Sequence, residues 1–138
     1  MNHEIAPIFA IIFVAGLLTT TNIYATCFDD MRWTINDVYT SLMMCGWFFL
    51  IYGVLYQLTK EVLVGLLLLT ISFYGIRTQF LVTPNQYIKS LIPHKSMTIT
   101  ISNELLKNQQ PSPQLTSLAT NIKNTEQSEI NYIKNLEQ

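Results

Sequence analysis

Apolar and polar positions divide the chain into two different patterns. No charged side chain occurs from Ile5 to Phe28, from Val38 to Thr59, or from Val62 to Ile76. Beyond Arg77 the last of these runs continues through Phe80-Leu81-Val82. A helix needs roughly 20 apolar residues to cross a bilayer's hydrocarbon core, so the pattern predicts spans at about 5–26, 36–58 and 62–82. A helix on a soluble core would show a polar face at every turn; these runs are apolar all round. In lipid only a helix satisfies its own backbone hydrogen bonds.

After Val82 the period changes. Thr83-Pro84-Asn85-Gln86 fits a helix start, with Thr83 as cap, Pro84 in the first turn and Gln86 reaching back. Apolar residues follow at Tyr87, Ile88, Leu91, Ile92, Met97, Ile101, Leu105 and Leu106, an amphipathic helical stripe. Pro93 lies inside it and is expected to kink the helix. Residues 108–112 read as a turn, and Ser112-Pro113 as a new cap and first turn. A second stripe then runs through Leu115, Leu118, Ala119, Ile122, Ile130, Ile133 and Leu136. The expected fold is all-α: a transmembrane region over 1–82 and an antiparallel two-helix hairpin over 83–138. Two helices of about 25 residues do not close a core, so each stripe needs a further partner. A second copy completing a four-helix bundle is the economical answer; packing on the membrane surface is the rival.

Composition agrees with this division. Of 138 residues, 49% are hydrophobic and 12% charged, about half the charge of an ordinary soluble domain. Eight basic residues against nine acidic ones leave no positive excess for a nucleic acid. The first span also admits reading as a signal peptide, with a faint small-residue site at Ile23-Tyr24-Ala25. His3 and Glu4 stand where a signal would carry Lys or Arg, which favours a retained span. With three spans, the link near residues 27–37 and the tail share one side. Arg32, Lys89 and Lys95 there, against Lys60 opposite, tilt the tail towards the cytoplasm.

Candidate chemistry is sparse. There is no phosphate-binding glycine loop, zinc-protease helix motif or nucleophile elbow, so no enzyme is expected. Met43-Met44-Cys45 offers soft sulfur, for which span packing is the plainer reading. Depth separates Cys27 from Cys45 and argues against a disulfide. Arg77, a turn inside the third span, is expected to snorkel to the interface. If the hairpin pairs about Gln110, His94 falls level with Glu126 and Leu91 with Glu129. Histidine and carboxylates are metal-ligand types, but a His–Glu pair or solvated edge residues is the simpler outcome.

The segments Gly75-Ile76-Arg77-Thr78-Gln79 and Tyr87 to Met97, with Ile92-Pro93-His94 at the centre, resemble a ferritin-like helical family, the domain of unknown function number three hundred and five. Leu118-Ala119 and Glu126-Gln127-Ser128-Glu129-Ile130 resemble its second helix, and small members place three spans before the motif. The resemblance implies half of a ferritin-like bundle and a transition metal such as copper, held by His94, Met97 and Glu129, with Glu126 standing in for the family's glutamine. Lys95 replaces the family's second histidine and Ile133 its methionine. Two readings follow: a membrane-tethered metal-binding or metal-handling module, and a non-catalytic membrane interaction or dimerisation protein with a degenerate metal site.

Overall fold

The computed structural model describes residues 5–108 and 110–137. His3, Glu4 and Gln109 of the expected turn lie outside them. Among the described residues every regular element is helical: α1 (Ile5–Leu18), α2 (Ile35–Leu55), α3 (Thr59–Thr78), α4 (Pro84–Asn108) and α5 (Pro113–Leu136), with 3₁₀ turns at Thr21–Tyr24 and Phe28–Asp30. Two units form: residues 1–20 with 34–82, and residues 21–33 with 83–138. The change at Val82 is where the pattern turns from apolar to amphipathic.

Three stretches are long and apolar enough to cross a membrane: Ile35–Leu55 and Thr59–Thr78 in the first unit, and Ala6–Tyr24, whose last four residues belong to the second. The expected first span, 5–26, is regular α-helix only to Leu18 and closes through the 3₁₀ turn. Small residues bring α2 and α3 together. A Cβ on Gly65 would lie 2.5 Å from the Leu50 nitrogen and 2.9 Å from the Gly46 oxygen, and one on Gly53 would lie 2.6 Å from the Val62 nitrogen. Such backbone contact is the usual way helices associate where lipid removes the hydrophobic drive. Ser41, Cys45, Ser72 and the glycines are buried, while Ile11, Val14, Ile51, Val54, Leu63, Leu67 and Phe73 face outward. A water-soluble bundle has the opposite arrangement.

The ends are tied locally. The Thr34 amide and hydroxyl both donate to the Asp37 carboxylate, at 2.7 and 2.9 Å, and start α2. Gln79 takes the left-handed conformation after α3 (φ 52°), and its Nε2 donates to the Ile76 carbonyl. The Tyr39 hydroxyl donates to the Phe80 carbonyl at 2.7 Å, and the Tyr39 ring lies against Gly75.

In the second unit the expected caps form, Thr83 accepting from the Gln86 amide and Ser112 from the Leu115 amide, each at 3.3 Å. α4 runs through Pro93 as one helix. Its core is Ile92, Ile99, Ile130 and Ile133, flanked by Ile88 and Leu91. The buried faces differ from the expected stripes. Ile99, Ser96 and Ser102 turn inward, whereas Ile101, Leu115, Leu118 and Leu136 are exposed. The buried positions on α4 are 92, 93, 96, 99 and 102; Ile92 and Ile99 join Ile130 and Ile133 of α5, and Ser96 receives residues 21–33. This segment of the same chain thus supplies one partner for the hairpin, while Ile101, Leu115, Leu118 and Leu136 remain uncovered in the single chain.

Candidate functional site

The densest polar constellation lies where residues 21–33 meet α4 and α5. Backbone geometry prepares the segment. Asn22 is buried, and its amide donates to the Arg32 carbonyl and accepts from the Arg32 amide, each at 2.8 Å, so one side chain closes a ten-residue loop. Within the loop, Thr26 reaches α4: its amide donates to Ser96 Oγ at 2.8 Å, and its hydroxyl lies 3.0 Å from that of Thr100. Ser96, fully buried, donates in turn to Asp30 at 2.6 Å. From α5, Lys134 reaches Asp30 at 2.7 Å and also pairs with Asp29. Arg32 bonds the Glu137 carboxylate at 3.0 Å.

Asp30 is only 5% exposed. Burial pushes its pKa up, but the hydrogen bonds from Lys134 and Ser96 and the Lys134 charge outweigh it, and the carboxyl titrates below the usual aspartate value. Burial pulls Lys134 down, and its bonds to Asp29 and Asp30 more than reverse this, leaving it raised. Arg32 is raised by its bond to Glu137. Lys134 pairs with Asp29 and Asp30, and Arg32 with one oxygen of Glu137, whose other oxygen is buried without a hydrogen-bond partner among the described residues; the pairing suits fastening rather than proton transfer.

The second constellation is the one expected to hold a metal. His94 is exposed, and the residue in the groove is its neighbour Lys95. Lys95 donates to Glu126 at 2.8 Å and pairs with Glu129 as well. Glu126 and Glu129 do lie together across the hairpin, with Lys95 rather than His94 between them. Burial lowers the Lys95 pKa, but its bonds to both glutamates outweigh this, so the ammonium is held charged. Met97 is half-buried on the next part of α4. Among the described residues no group of three His, Cys, Asp or Glu side chains lies close enough to hold a metal ion. Cys27 is exposed and Cys45 buried, both as free thiols.

The spacing argument missed the first constellation altogether. Its bonds join residues 66, 70 and 105 positions apart. The local hint is Ser96 and Thr100, two hydroxyls one turn apart beside the apolar stripe.

No protein-family model and no solved structure matches the chain. It is 34% identical over 142 residues to an uncharacterized protein of Acanthamoeba polyphaga mimivirus, covering 99% of this chain and 93% of that one.

Proposed function

We propose that this chain, which belongs to the same family as that mimivirus protein, is a multi-pass integral membrane protein that crosses the bilayer three times and presents a non-catalytic helical interaction module on one side. The observation that carries this reading is the composition of the second unit: residues 21–33 and the tail fold together, and the two long apolar helices α2 and α3 lie between them in sequence. Two crossings return the chain to the side it left, as such a fold requires. The outward apolar faces of α1 to α3 support the same reading.

Lys95 supports the interaction reading over the metal one. An ammonium bonded to both Glu126 and Glu129 already supplies the positive charge a metal would bring. A cation entering there must displace it or meet it as a like charge. His94, Met97, Glu126 and Glu129 thus belong to a hairpin closed by an ion pair, with His94 on its exposed face.

The test uses the full chain in sealed vesicles, with Cys45→Ser as background and a membrane-impermeant maleimide. Native Cys27 and a Lys123→Cys variant (with Cys27→Ser) should label from the same side, and Leu58→Cys (with Cys27→Ser) from the other. Labelling of Cys27 and Lys123→Cys from opposite faces, or release of the protein by alkaline carbonate, would overturn the proposal.

A further inference from the structure

On the lipid-facing side of α2 and α3, Met43, Trp47, Leu69, Thr70, Phe73, Tyr74 and Arg77 line an open groove of about 520 Å³. Its wall is apolar except at the end where Arg77 stands, in the last turn of α3. From Leu69 to Arg77 is eight residues, about 12 Å along the helix axis. One leaflet of hydrocarbon is about 15 Å deep. The groove therefore has the length of most of an acyl chain, and its charged end lies where a headgroup would.

Arg77 is the second observation. Its one recorded partner among the described residues is the Phe73 ring, 5.8 Å from the guanidinium carbon. Among the described residues Arg32, Lys95, Lys107 and Lys134 each pair with a carboxylate, whereas Arg77, like Lys60, Lys89 and Lys123, pairs with none. A guanidinium near hydrocarbon is costly unless paired, and its fork of donors matches phosphate oxygens. The α3 C-terminus explains why a cation is tolerated there, but it offers only partial charge.

We infer that this groove is a binding site for an anionic phospholipid, with one acyl chain lying along Leu69, Phe73 and Trp47 and the headgroup phosphate on Arg77. The inference rests on the membrane reading above. Phe73 holds the guanidinium over its face, which keeps it at the mouth of the groove. Thr70 donates its hydroxyl to the Leu66 carbonyl at 2.8 Å, so that hydroxyl is not left free beside an acyl chain.

Trp47 makes the site its own reporter. In a Trp33→Phe background, Trp47 is the only tryptophan. The full chain is reconstituted in phosphatidylcholine vesicles containing a small fraction of dibrominated phosphatidylserine or, in parallel, dibrominated phosphatidylcholine. Half-maximal quenching is expected at a roughly fivefold lower mole fraction of the brominated phosphatidylserine, the preference one basic side chain confers on an anionic lipid. Arg77→Gln should abolish the preference while leaving equal quenching by both lipids, and Arg77→Lys should keep part of it. Lys60→Gln, at the opposite end of α3, should leave it unchanged. Equal quenching by both lipids in the unaltered groove, or a preference that survives Arg77→Gln, would overturn the lipid site alone. Absence of quenching by either lipid would overturn the membrane reading with it.

Discussion

Replacing Lys134 with Met keeps the aliphatic stem and removes only the ammonium. Asp30 then stays buried, 5% exposed, with the Ser96 hydroxyl as its remaining short donor. Removing one partner of a fully buried ion pair costs about 3–5 kcal/mol. Lys134 is one-quarter exposed, so water screens part of this, and about 2–3 kcal/mol is expected from the loss of a charged hydrogen bond plus partial desolvation. The Asp29 contact adds little, since its carboxylate is mostly in solvent. Asp30→Asn keeps an acceptor for Ser96 but leaves Lys134 without its buried partner, for about 1–2 kcal/mol. With both charges gone the double variant should be less destabilised than the sum, with a coupling of about 1–2 kcal/mol. The assay is urea unfolding of the full chain in detergent, read by Trp33 fluorescence in a Trp47→Phe background; Trp33 belongs to the second unit. A Lys134→Met shift under about 0.5 kcal/mol, the size of an ordinary surface change, with additive behaviour in the double variant, would refute the docking of residues 21–33 on the tail.

Three further outcomes are expected. Gly65→Val would drive a side chain into the Leu50 and Gly46 backbone and cost at least the ~1–3 kcal/mol of an overpacked core, lowering the thermal midpoint in detergent, while Leu63→Val on the outward face should leave it nearly unchanged. Asp30 has a folded pKa below its unfolded one, so its contribution is present above the ordinary aspartate value and is lost as pH falls through the lower folded value; Lys95 and Lys134, both raised, contribute fully below the ordinary lysine value and lose this as pH rises through the higher folded one. Unfolding of the second unit should thus be insensitive to these groups between about pH 5 and 10 and weaken below about 4, which a pH series of the same urea titration checks. Lys95→His would place a histidine between Glu126 and Glu129 in place of the ammonium, and elemental analysis after detergent purification should find transition metal on that variant and none above background on the native chain.

The helices were legible in the sequence because each rests on local information: charge-free length for α2 and α3, and a Thr or Ser cap followed by Pro for α4 and α5. The hairpin pairing was legible to within one residue. Pairing about Gln110 put position 94 opposite Glu126, and the groove holds 95 instead. One residue along a helix turns the side chain by about 100°, enough to exchange a histidine for a lysine and a metal site for an ion pair. Lysine's longer reach then spans Glu126 and Glu129, one turn apart. The pattern divides residues 21–33 between the end of the first span and a polar link starting at 27, because their partners are short polar side chains far along the chain, and hydrophobic period carries no trace of such bonds. The burial of Ser96 has the same origin: a second surface, invisible to the period, meets α4 there.

The central claim is that residues 21–33 and the tail are one folded module. A cysteine pair tests it most directly. In a Cys27→Ser, Cys45→Ser background, Thr26→Cys and Thr100→Cys replace hydroxyls 3.0 Å apart, and mild oxidation in intact membranes should join them within one chain, shown by a mobility shift that reductant reverses. Thr26→Cys with Ile101→Cys, on the exposed face of the same turn, should not join. Failure of the first pair to cross-link, or equal cross-linking of both, would contradict the account.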